Sequence, residues 1–162
     1  MSDELSTEQG PTDPPFEQLI RRLPDAVIYV DRRGVIRLWN DAATELFGFD
    51  ASEAVGASLD LIISNRFRAA HWAGFNRAMS TGVLRLSGRP TLTRAVHRHR
   101  DRLYVEMSFG LVFDRSTGQP CGAVAVARDA TDRVGREPVA TTPPPDSDHG
   151  HTRSDRPGRH SA

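Results

Sequence analysis

The chain has 162 residues, of which 38% are apolar, so it is long enough for one hydrophobic core flanked by polar tails. Its 21 basic residues, all arginine, balance 21 acidic residues, and this zero net charge argues against nucleic acid as a partner. The single cysteine, Cys121, excludes an internal disulfide and a cysteine metal cluster, so we expect no metal site.

The apolar residues are concentrated between residues 16 and 133. We therefore predict one domain over 16–133, between disordered tails at 1–15 and 134–162 that are rich in proline and polar residues. The C-terminal tail contains three histidines, which we interpret as solvated rather than metal-binding. No segment is apolar enough to span a bilayer and the N-terminus does not resemble a secretory signal, so we expect a cytoplasmic protein without a membrane partner.

The first half of the domain predicts a short helix, a β-hairpin and several further helices. Apolar residues at helical spacing predict an amphipathic helix at the start; they are Phe16, Leu19, Ile20 and Leu23. The next segment predicts strands at 27–30 and 35–39 joined by a turn that ends at Gly34. Asn40 is a suitable N-cap for a helix that ends at Gly48. Two short helical pieces and a long helix over 66–82 follow.

The second half predicts three antiparallel strands. Alternating residues predict a strand through Thr91–Arg98, with His97 and His99 on one face and the neighbouring arginines on the other. A long strand follows over 103–113, and the last strand runs over 121–131. The order of a hairpin, helices and three strands indicates an α+β fold in which helices cover one face of an antiparallel sheet.

His71 lies on the apolar side of the long helix. At about 100° per residue it falls between Phe67 and Phe75, on the side that also includes Gly74 and Ala78. We expect a buried imidazole with a hydrogen-bond partner and a lowered pKa. Trp72 falls at the edge of that side, where it would pack on the sheet or on a dimer partner.

Several phrases, in this order and spacing, resemble the PAS family of sensory domains over about residues 23–133. They are LPDAVIYVDRRGVIRLWNDAATELFGF, ASEAVGASL and GAVAVARDATDR. The resemblance implies a five-stranded antiparallel sheet of order 2-1-5-4-3 with helices on one face around a central pocket. It also implies a sensory or regulatory module without catalysis, and the chain carries no nucleotide-binding, nucleophile-elbow or zinc-protease motif.

The resemblance also indicates which residues do the sensing. The candidates for lining the ligand pocket are His71, Phe67, Phe75, Ile62, Met107 and Trp39. Asn40, Asp129 and Thr131 match positions that couple the sheet to an effector. For this chain the implied effector is a partner protein in trans, through which the domain would regulate transcription. The apolar side of the first helix, with Phe16, Leu19, Ile20 and Leu23, is the candidate homodimer interface.

The cofactors that members of the family bind require particular residues, and these requirements separate the alternative functions. Flavin-binding members carry a cysteine ahead of the long helix, where this chain has GASLDLIISNRF, so flavin is not expected. Haem-binding members take a histidine near the end of that helix, a position that falls near Leu84, so no cofactor is our first expectation. A haem sensor with His71 as the axial ligand is the alternative. A dimerisation adaptor without any ligand is the second alternative.

Overall fold

The computed structural model describes residues 15–86 and 89–134. It contains five strands, β1 (Ala26–Asp31), β2 (Ile36–Trp39), β3 (Thr91–Ala95), β4 (Leu103–Phe113) and β5 (Pro120–Asp129). The helices are α1 (Phe16–Arg22), α2 (Asp41–Phe47), α3 (Ala51–Ala54), α4 (Asn65–Thr81) and α5 (Thr131–Val134), with a 3₁₀ turn at Leu59–Leu61. The predicted tails lie outside the described residues except for Pro15 and Val134.

The five strands form one antiparallel sheet of order β2-β1-β5-β4-β3, as predicted. Every second residue of a strand points to the inner face of the sheet. On that face Ile28 pairs with Ala125, and Met107 pairs with Ala127. The helices pack on this face around a core that includes the fully buried Phe47, Ile36 and Leu103. Among the residues that the structure describes, the core cluster lies on this side of the sheet.

The hairpin and the helix ends follow the turn chemistry of the sequence. Asp31 Oδ1 accepts hydrogen bonds from the backbone of Arg33 and Val35, and Gly34 takes the positive φ of +76° that closes the turn. Gly48 and Gly82 end α2 and α4 with the left-handed conformation expected of C-terminal glycines. These parts of the sequence-based prediction are confirmed.

The prediction for β3 is wrong at its C-terminal end. The strand stops at Ala95, because the next residues turn back to contact the helices: Val96 donates to the carbonyl of Ile62 and Arg98 donates to that of Phe47. His97 Nδ1 then accepts from the backbone of His99 and Arg100, which closes a turn. His97 and His99 therefore do not share a strand face. The last strand likewise ends at Asp129, since Thr131 begins α5.

Asn40 joins three elements through its side chain. Its Oδ1 accepts from Val27 N at 2.8 Å and from Ala43 N at 3.0 Å, and its Nδ2 donates to Ile20 O at 3.1 Å and Asp25 O at 2.9 Å. The residue is only 3% exposed. All four hydrogen-bonding positions of the amide are thus used in a site that water does not reach.

We predict that Asn40→Ala lowers the free energy of unfolding by about 2–4 kcal/mol, because it removes an N-cap and leaves buried backbone groups without partners. Urea unfolding followed by circular dichroism measures this change. Asn76→Ala, on the exposed side of α4, is the matched control and should change stability by less than about 0.5 kcal/mol. Equal effects of the two variants would contradict the role of Asn40.

Candidate functional site around His71

The orientation of α4 is set by Trp72. Its Nε1 donates to Asp60 Oδ1 at 2.8 Å, and Asp60 also lies 3.6 Å from Arg68 Nε. The Trp72 ring lies so close to Gly34 that a Cβ there would come within 2.2 Å of it. Trp72 therefore fixes α4 against both the 3₁₀ turn and the β1–β2 turn. Its indole packs on residues of its own chain, Asp60 and Gly34.

This contact rotates the packed side of α4 away from the predicted one. Ala78 and Met79 are buried, and His71, Trp72 and Phe75 are half-buried. Phe67 is 41% exposed, with the guanidinium of Arg66 lying 4.4 Å from its ring centre. Gly74 is exposed as well. The prediction that Phe67 and Gly74 face the interior is wrong, because the indole of Trp72 occupies the side that packs on the hairpin.

His71 lies within an aromatic group. Its ring meets that of Trp72 edge-on at 5.0 Å and lies parallel to that of Phe75 at 6.2 Å between centres. The Nδ1 atom is buried and has no hydrogen-bond partner. The prediction that His71 has a partner is therefore wrong for this nitrogen, whereas burial lowers its pKa as expected, against a smaller opposing effect of the Asp60 carboxylate.

The other pocket candidates lie in or beside the core. Ile62, Met107 and Trp39 belong to the buried core cluster, and Phe75 packs against it. The indole of Trp39 donates to Thr44 Oγ1 and to the carbonyl of Phe49, each at 3.1 Å, so its polar atom is satisfied. Within this group, His71 is the residue whose buried polar atom has no partner, and it lies beside Phe75.

The proposed relay residues join the end of β5 to β4 and to the β3–β4 turn. Thr131 Oγ1 accepts from Tyr104 N at 3.1 Å, and Thr131 N donates to Asp129 Oδ1 at 2.8 Å. Asp129 Oδ2 also pairs with Arg100 at 3.2 Å. Burial alone would raise the pKa of Asp129, but the bonds from Thr131 and Arg100 outweigh it and lower that pKa. The geometry fixes where the chain leaves the sheet; its role in signalling stays a prediction.

Some contacts were missed by the sequence analysis. The His97 ring packs on Gly48, where a Cβ would lie 2.8 Å from it, and Arg98 pairs with Glu53 of α3. These contacts hold the segment after β3 on α2 and α3. A glycine after a helix predicts only the end of that helix, and nothing in the sequence indicates that an imidazole from the segment after β3 lies over it.

Within 15–86 and 89–134, no three histidine, cysteine, aspartate or glutamate side chains come together as a metal site. No helix in the same part of the chain combines the length and the apolar character that crossing a bilayer requires.

We predict that the free energy of unfolding falls as the pH is lowered through 6.5, the ordinary pKa of histidine, because the folded state binds fewer protons at His71 than the unfolded state does. The stability that the folded state gains from keeping His71 neutral is present above pH 6.5 and is lost as the pH falls below that value. His71→Gln should show a smaller fall between about pH 7.5 and 5.5. Urea titrations at each pH measure it.

His97→Gln is a second test of the same effect, because burial also lowers the pKa of His97. It should show a smaller fall than the wild type, and the double variant His71→Gln with His97→Gln should show the smallest fall of all. If the wild type and His71→Gln lost the same stability on acidification, His71 would not titrate as the geometry requires.

Known proteins resemble this chain in sequence and in fold. A relative, the sensor protein FixL of Bradyrhizobium diazoefficiens, is 26% identical over 105 residues, which are 65% of this chain but 20% of that protein. The chain thus spans about a fifth of the length of the curated relative it matches. Because the match is limited to this part, the activity of the whole FixL protein is not assigned to this chain.

Solved structures share the fold. A PAS domain from Colwellia psychrerythraea has a TM-score of 0.62 at 19% identity, covering 73% of this chain and 96% of that one. The PAS domain of BvgS from Bordetella pertussis has a TM-score of 0.57 at 18% identity, covering 74% and 87%. The family model described as "PAS fold" matches residues 16–129. The chain therefore belongs to the PAS family.

Proposed function

We propose that this domain senses a small ligand beside His71 and passes the signal, without catalysis, to a partner protein in trans that could regulate transcription. The observation that carries the proposal is the buried Nδ1 of His71 without a partner. An unpaired polar atom of this kind costs about 1–3 kcal/mol. A ligand with a complementary polar group, whose apolar part contacts Phe75, would remove that cost.

The lowered pKa of His71 adds to the argument. Burial favours the neutral imidazole, which has one donor and one acceptor nitrogen. A neutral ring suits an uncharged ligand that hydrogen-bonds to Nδ1, and it does not attract an anion as a charged imidazolium would. The alternative function, a dimerisation adaptor without a ligand, does not explain the unpaired nitrogen, because no bound group would hydrogen-bond to it.

A haem sensor is the second candidate. Burial keeps the His71 imidazole neutral by lowering its pKa, and a neutral imidazole has the chemistry of an axial iron ligand, so His71 is the residue that would hold haem. When bound, haem would supply the chemistry of gas binding or electron transfer. The chain would contribute the apolar side chains of Phe75 and Trp72, which would surround the haem and tune the reactivity of its iron.

We predict that purified wild-type protein retains a small molecule, whereas His71→Leu does not. Native mass spectrometry measures retention, and an absorbance spectrum separates the two candidates through a haem band near about 400 nm. The variant should also be more stable than the unliganded wild type by about 1 kcal/mol, since it removes the unpaired nitrogen.

Phe67→Leu is the matched control, because Phe67 lies outside the site and its replacement should leave retention unchanged. A wild type that carries no added mass and no haem band would support the adaptor and reject both ligand proposals.

We also propose that the domain acts as a homodimer through α1. Phe16, Leu19 and Leu23 are 65%, 52% and 45% exposed, and Val126 on the outer sheet face is 37% exposed. Ile20 is half-buried on the domain itself. Apolar side chains left in water by one protomer are the kind that a second protomer covers.

We predict that Leu19→Glu lowers the mass measured by light scattering from that of a dimer toward that of a monomer, because a charge would be buried in the interface. Val83→Glu, at a residue that is 65% exposed away from α1, is the control and should leave the mass unchanged. A dimer that persists in Leu19→Glu would place the interface elsewhere.

A further inference from the structure

The zero net charge of the chain is the sum of segments of opposite charge. Residues 61–100 contain eight arginines and no aspartate or glutamate, whereas residues 1–60 contain twelve acidic residues and five arginines. Such asymmetry is a feature of surfaces that attract a charged partner. Net charge alone therefore conceals a basic region.

α4 belongs to that basic segment of the sequence. Arg66 and Arg77 are both exposed and lie eleven residues apart, which is about three helical turns, so they share one side of the helix. Ala70 and Ala73 lie between them and are exposed too. The helix contains no acidic residue. We call Arg66, Phe67, Ala70, Ala73 and Arg77 the basic face of α4.

Carboxylates near this face are already used. Asp60 accepts from Trp72 and pairs with Arg68, and Asp31 pairs with Arg37 while it accepts from two backbone groups of its turn. Among the residues that the structure describes, neither Arg66 nor Arg77 forms an ion pair. Their positive charge therefore remains available to a further group.

The basic face also has an apolar part. Phe67 is 41% exposed beneath the guanidinium of Arg66, and the small side chains of Ala70 and Ala73 leave a shallow surface between the two arginines. An occupant that fits both parts has carboxylates for the arginines and at least one apolar side chain for Phe67. An acidic peptide segment has this chemistry.

We propose that residues 1–14 of this chain dock on the basic face of α4. The segment contains four acidic residues and no arginine, lysine or histidine, and its Leu5 follows directly after Asp3 and Glu4. Fully extended, fourteen residues reach up to about 45 Å from the start of α1. Covalent attachment gives a high effective concentration, which makes weak charge pairs sufficient. The proposal does not depend on a ligand at His71.

The test attaches a spin label to the full chain at Ser6→Cys in a Cys121→Ala background and measures the broadening of α4 backbone amides by NMR. We expect broadening at Ala70, Ala73 and Arg77 that disappears between about 0.01 M and 1 M salt, as the Debye length falls from about 30 Å to about 3 Å. Arg66→Gln with Arg77→Gln should reduce the docked-to-free ratio about two- to fivefold for each charge removed.

The matched control is Arg94→Gln with Arg102→Gln, which removes the same charge elsewhere: Arg94 projects from the outer sheet face and Arg102 lies in the β3–β4 turn. It should leave the broadening unchanged. A variant with Asp3, Glu4, Glu8 and Asp13 replaced by their amides should lose it.

Three results would overturn the proposal. One is the absence of broadening at low salt, and another is an equal loss in the control. The third is broadening that appears only between labelled and unlabelled molecules in a mixture, which would show that a second copy supplies the segment.

Discussion

The structure depends on the amide of Asn40, whose four hydrogen bonds hold α1, β1 and α2 together at one buried point. The bond to Val27 N fixes the start of β1, and the bond to Ala43 N starts α2. Because β1 is the strand that joins β2 to β5, the position of this junction determines where α2 covers the inner sheet face. A carboxylate or a hydroxyl would supply only part of this set, since only an amide presents two donors and two acceptor sites.

The site depends on a second anchor, the indole of Trp72. Its bond to Asp60 and its contact with Gly34 fix the rotation of α4, and that rotation buries the Nδ1 atom of His71 while it leaves Phe67 in solvent. A larger residue at Gly34 would have to displace the indole, and α4 would turn with it. The unpaired nitrogen of His71 is thus a consequence of how the hairpin turn and the helix fit together.

Most of the fold could be predicted from the sequence, because its signals are local. The N-cap Asn40 and the glycines at 34, 48 and 82 mark element ends through backbone conformations that these residues favour. Sheet order and family followed from the resemblance. The site was harder, because a helical pattern gives the packed side of α4 only approximately. The contact that decides it, Trp72 against Gly34, joins residues 38 positions apart and has no local signal. The early end of β3 has the same cause, since His97 and Arg98 leave the sheet to contact Gly48 and Glu53.

The two sides of α4 have different physical roles. One side buries Ala78 and Met79 and presents a neutral imidazole, where low polarity strengthens any single hydrogen bond. The other side exposes arginines to water, where individual pairs are weak and salt screens them. If the ligand proposed beside His71 binds, its effect on the outer side depends on Trp72, because this residue ties α4 to the 3₁₀ turn and to the hairpin turn. A change in the contact between Trp72 and Gly34 is then the step by which the proposed ligand would move the helix.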